Sequence, residues 1–172
     1  MLISKLECLY RGFNAMRNKT KQYLAYIAKN YVPVTVTSLM KLSYLIDLIL
    51  VTKKEEQISD FTYKRYRYGP FAPQIYGYLA ELIDEEVLLE EVEYTPHAEE
   101  YIIYKFNEDS ENVDFSELTS KEKKAIDEVL ESLEGLGAKA LSEIAYKTKP
   151  MKALGAEFGN DKGLNVILDL KS

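Results

Sequence analysis

The run Leu42-Ser-Tyr-Leu-Ile-Asp-Leu-Ile-Leu-Val51 constrains the fold most, because so apolar a stretch has to be enclosed. Leu39, Leu42, Leu45, Ile46, Ile49 and Leu50 recur at helical spacing, which predicts a helix capped by Thr37 or Ser38 and reaching about Lys53. Asp47 interrupts the run, and Lys53 with Lys54 closes it well short of a membrane span. It therefore reads as a core helix around which the other elements pack. A chain of 172 residues, 47% hydrophobic and 29% charged, can enclose one such core and is expected to be a single domain.

Ahead of this helix, Leu2, Leu6, Leu9, Phe13 and Met16 alternate at spacings of four and three, the pattern of a helix with one narrow apolar seam. Residues 1–17 read as an appendage whose seam docks on its own domain or on a partner chain, a homo-oligomer through residues 2–16 being one form of the latter. Asn18 is placed to cap a separate helix running to about Asn30, which Pro33 ends. Residues 61–68 alternate aromatics with cations as a strand does, and Gly69-Pro70 stops it. Pro73 opens a helix over 73–86, and 87–94 with 101–106 make a hairpin.

Further on, Thr119-Ser-Lys-Glu122 is a capping box opening a helix through Leu133, and a last helix around Leu141 stops before Pro150. A domain over 18–155 is followed by a tail, 156–172, in which Leu164, Val166, Leu168 and Leu170 predict a returning strand over 164–170. The fold class is α+β: a mainly helical single domain with a small antiparallel β-sheet or hairpin. Its element order over 73–106 is partly that of a winged helix.

Little in the chain points to catalysis. A base for any nucleophile would have to be His97, in the hairpin loop beside Pro96, and the carboxylates crowd into acidic runs such as Asp84-Glu85-Glu86. With one Cys and one His the usual soft-metal ligand sets cannot be assembled, and neither Gly135-Leu-Gly137 nor Gly69-Pro70 belongs to a phosphate-binding fingerprint. No catalytic residue, metal or cofactor is expected. The scattered charges of Met-Leu-Ile-Ser-Lys-Leu-Glu-Cys are unlike an export leader, so the cytoplasm is the expected location, with no membrane partner.

Net charge is −6, but it is unevenly spread: residues 1–68 carry 12 Lys and Arg against 5 Asp and Glu, and residues 69–172 carry 10 against 23. A basic half of this kind can meet nucleic acid, meet an acidic partner, or neutralise the rest of its own fold.

Lys41-Leu-Ser-Tyr-Leu-Ile-Asp47 on the central helix is followed by Arg67-Tyr-Gly-Pro70 and then Pro73-Gln-Ile-Tyr76. This order resembles the Panacea domain, the family of SocA-like antitoxins and phage-associated proteins. Leu118-Thr opening a helix, then Leu141-Ser-Glu-Ile-Ala145 and Pro150, extend the resemblance over roughly residues 20–155. The sequence departs from the family at Tyr146 and Met151, where His and Trp are usual. The resemblance implies an antitoxin that neutralises a cognate toxin by direct contact, and for some members an adaptor that delivers a toxin to a protease.

The motif residues have two readings each. Arg65, Tyr66, Arg67, Tyr68, Gly69, Pro70 and Tyr76 are the candidate partner contacts, although the tyrosines also suit a core and Gly69-Pro70 a turn. Lys41, Tyr44 and Asp47 lie near one another on the helix and are either structural or binding residues. On the structural reading Asp47 forms a buried ion pair with Arg65 or Arg67. The alternative function is a winged-helix DNA-binding regulator, yet residues 69–100 contain no Lys or Arg to meet phosphate, so helix 73–86 is not expected to read DNA.

Overall fold

The computed structural model describes residues 2–172, with side chains from Glu7 onward. Six helices and four strands form among the described residues. The first helix, α1 (Leu2–Asn30), runs unbroken through Asn18. No proline interrupts residues 13–22, so continuing the helix satisfies the backbone and no cap is needed at Asn18. Its second half carries Tyr23, Leu24, Ile27 and Ala28 into the core. In its first half Leu9, Phe13 and Met16 stay 71%, 59% and 47% exposed, so these seam residues do not dock on their own domain. Leu2 and Leu6 lie outside the described side chains.

The central helix, α2 (Val36–Thr52), has almost every side from Ser38 to Asp47 buried, as its composition requires. Its cap is Thr35 rather than Thr37 or Ser38. Val34 bridges to Tyr104, which leaves Thr35 extended and able to accept from the Ser38 N–H while Ser38 Oγ accepts from Thr35 N.

The aromatic run divides into β1 (Lys64–Tyr66) and β2 (Gly69–Phe71), with Arg67 and Tyr68 as the turn between them. The expected strand over 61–68 is shorter because Phe61 and Tyr63 enter the core before the pairing begins. Gly69-Pro70 opens the second strand instead of stopping the first. Gly69 can do so because it takes φ +98°, a left-handed value that other residues resist. Pro70 pairs with Arg65 across the hairpin, and its missing N–H costs nothing because Arg65 turns its own backbone groups outward. The Arg65 N–H donates to Val166 O at 2.9 Å and its carbonyl accepts from Asn165 N at 2.8 Å.

Residues 164–170 therefore do return alongside β1, but as an isolated bridge between Ile167 and Lys64 and not as a strand. Gly163 and Asn165 at φ +68° and +64° break the extended backbone there. Leu168 and Leu170 are buried whereas Val166 is exposed, so the expected alternation fails.

The rest follows the sequence closely. Helix α3 (Gln74–Asp84) starts after Pro73, and β3 (Leu88–Tyr94) pairs antiparallel with β4 (Glu100–Phe106). Thr119 and Glu122 form the capping box of α4 (Ser120–Ser132), and α5 (Ala138–Tyr146) follows Gly137. A short α6 (Lys149–Ala153) carries Pro150 in its first turn, where a missing N–H is harmless, so the chain resumes a helix where the sequence suggests an end. Buried residues of every helix and of the β3–β4 hairpin, with Leu168 and Leu170, form one core against which Phe71 of β2 packs, giving the mainly helical α+β domain expected.

Candidate functional site

The three motif residues of α2 point to three different places. Asp47 is fully buried and accepts from Ser59 Oγ at 2.5 Å, Tyr63 Oη at 2.7 Å and the Ile58 N–H at 3.0 Å, with a longer bond from the Ser59 N–H. Burial pushes its pKa up to about 6, against the pull of those same hydrogen bonds. The expected ion pair with Arg65 or Arg67 does not form. Hydroxyls and backbone N–H groups of the 58–63 loop meet the carboxylate instead, so Asp47 fixes that loop to α2.

Tyr44 is buried, donating to or accepting from Thr148 Oγ1 at 2.8 Å and packing edge-on against Tyr63 at 5.3 Å. It joins α2 to the start of α6.

Arg65 is also wholly buried, which removes it from the candidate partner contacts. Its guanidinium donates to the carbonyls of Tyr66, Glu157 and Asn160 and lies 5.7 Å above the Tyr146 ring. Backbone carbonyls thus take the place of the carboxylate the sequence suggested. Arg67 is exposed on the turn.

Lys41, by contrast, stands beside the motif turn. Its Nζ donates to Pro70 O at 2.7 Å, the side chain is 3% exposed, and burial alone lowers its pKa to about 8. It still holds its proton at neutral pH. Gly69 packs so closely over it that an added Cβ would stand 3.4 Å from Lys41 Cε and 3.6 Å from the Tyr146 ring. Tyr146 in turn donates to Arg67 O at 2.8 Å. The residue that replaces the family's usual His therefore holds the motif turn in place.

Above Lys41 opens a groove of about 350 Å³, whose walls include Tyr66, Tyr68, Phe71 and Tyr76. Tyr66, Tyr68 and Tyr76 are 42%, 64% and 55% exposed. Phe71 sits between Tyr66 and Tyr76, with ring centroids 5.2 and 6.1 Å away. The structure thus gathers Lys41, Tyr66, Tyr68, Gly69 and Tyr76 around one opening, while Pro70 is buried and contributes its carbonyl to Lys41. Phe71, Val36 and Thr37 also line the groove, and the sequence pattern gave no sign of them. Only the pairing of β1 with β2 and the Thr35 cap bring them there.

Beyond Tyr76, which lines the groove, α3 presents Gln74, Gly77, Ala80 and Asp84 to solvent, with no cation among them. Tyr78 is buried and donates to Asp60, so it belongs to the core. His97 is exposed in the β3–β4 turn. Among the described residues, no helix is long and apolar enough to cross a membrane.

No curated protein and no solved structure matches the chain. A family model does: that of the antitoxin SocA-like, Panacea domain matches residues 39–150, from the first turn of α2 to the proline of α6. The match spans the motif helix, the turn and all the aromatic walls of the groove. This chain belongs to the SocA-like antitoxin, Panacea domain family.

Proposed function

We propose that this protein neutralises a toxin by binding it directly in the cytoplasm, as a non-enzymatic antitoxin, through the groove beside the β1–β2 turn. The observation that carries this reading is the cluster of three half-exposed tyrosines, Tyr66, Tyr68 and Tyr76, on a tightly supported frame. Tyrosine offers a large rigid face at small entropic cost and is enriched among residues that dominate binding energy. Arg67 on the same turn adds a cation at the rim. Its long-range attraction would speed encounter with an acidic partner surface more than it would tighten the complex. Membership of an antitoxin family supports a toxin as the kind of partner.

The test is co-expression with the product of the adjacent reading frame, scored by growth and by co-purification. Native protein is expected to restore growth and to form a stoichiometric complex. Tyr68→Ala with Tyr76→Ala should weaken that complex by about 100-fold, or roughly 2.7 kcal/mol, and leave the thermal midpoint almost unchanged because both rings are exposed. A harmless neighbour, rescue without a complex, or full affinity in the double variant would each reject the reading.

A further inference from the structure

Two sources of positive charge converge on the same groove. The first is Lys41: an ammonium has three N–H donors, and the Pro70 carbonyl takes one of them. Its shift comes from burial, with no carboxylate partner among the described residues. The second is the start of α2. Val36 and Thr37 line the groove, and as first-turn residues of a 17-residue helix their N–H groups have no carbonyl four positions back. Thr37 and Lys41 are four residues apart, hence on one face of the helix. The aromatic series Tyr66, Phe71 and Tyr76 lines the same groove.

We propose that the groove receives an Asp or Glu side chain borne on an apolar segment of the partner protein. The carboxylate sits against Lys41 and the first turn of α2, and the neighbouring apolar side chain packs on Tyr66, Phe71 and Tyr76. This rests on the direct-binding reading above and names the chemistry of the segment that is bound. A buried cation gains most from a partner that arrives with its own desolvated charge, because the attraction is then little screened. A single carboxylate suits the site better than a polyanion. Lys41 is the one cation among the residues that line the groove, and residues 69–100, which supply Gly69, Phe71 and Tyr76 to its lining, contain acids and no Lys or Arg.

The chain contains no Trp, so the fluorescence of a Trp-bearing peptide reports its binding directly. The probes are acetyl-Leu-Trp-Asp-amide and acetyl-Leu-Trp-Asn-amide, titrated against the full chain. The Asp peptide is expected to bind at least tenfold more tightly than the Asn peptide. Lys41→Met should abolish that preference, whereas Tyr76→Ala should weaken both peptides alike. Equal affinity of the two peptides for the native protein overturns the inference, and this arm needs no variant to fold. So does an undiminished Asp preference in a folded Lys41→Met protein, or tighter binding of oligothymidylate that displaces the Asp peptide. Growth rescue that persists without any Asp preference removes the groove inference alone. Absence of rescue with the preference intact upholds the groove chemistry and removes the neutralisation reading.

Discussion

Asp47→Ala is expected to lower stability by about 4 kcal/mol, measured by urea unfolding at neutral pH. The carboxylate is the acceptor for four donors, from Ile58, Ser59 and Tyr63, all three of which are buried. Leaving a buried donor unpaired costs about 1–3 kcal/mol. Four such losses exceed the roughly 3 kcal/mol by which removing a buried charge relieves the fold at neutral pH. A change below about 1 kcal/mol would mean that the 58–63 loop is not held by Asp47 at all.

The same residue gives stability a pH dependence whose sign is opposite to that of a salt-bridged carboxylate. Its pKa is raised from 3.8 to about 6 on folding, so between those values the folded chain keeps a proton that the unfolded chain releases. Stability from this group is full below about pH 4 and is lost as pH rises through about 6, a total of roughly 3 kcal/mol. Asp47→Asn has no such titration. The stability difference between native protein and Asp47→Asn should shift in favour of the variant from pH 4 to pH 7. A constant difference across that range would rule out a raised pKa.

Arg65→Met is expected to cost about 2–4 kcal/mol, because the carbonyls of Tyr66, Glu157 and Asn160 lose a charged donor. Methionine retains much of the apolar stem, so the loss isolates the hydrogen bonds from the packing. The effect should be local before it is global. The N–H groups of Arg65, Asn165 and Leu168 bond across the seam between β1 and the C-terminal segment, and their hydrogen exchange should accelerate most. Uniform acceleration throughout α2 and α4, with no excess at the seam, would contradict the assignment of Arg65 to that segment.

The central helix and the capping box at Thr119 were legible because both are local: apolar spacing and a four-residue cap need no distant partner. The β3–β4 hairpin was legible for the same reason. The partners of Asp47 and Arg65 were not. Charge alone suggested that two buried ions of opposite sign would meet, but Asp47 is met by hydroxyls and backbone N–H groups of the 58–63 loop and Arg65 by backbone carbonyls, partners that no charge pattern in the sequence marks. The groove was half legible. Its aromatics and Lys41 stood out in the motifs, while Phe71, Val36 and Thr37 joined them only through pairing and cap geometry. The strand expected over 164–170 failed at Gly163 and Asn165, two left-handed residues that outweigh several β-formers.

The seam between β1 and the C-terminal segment also bears on the order in which the molecule can assemble. Arg65 and Asn160 are separated by 95 positions, so their contact closes a loop that spans more than half of the chain. Contacts of that separation form late, since the entropy of closure must be met before they return any energy. During synthesis the helix that bears Lys41 leaves the ribosome long before the segment that backs the neighbouring strand. A nascent chain therefore carries all the aromatics of the groove before it has the means to hold them in register, and competence to bind is acquired only once residues 157–168 have emerged.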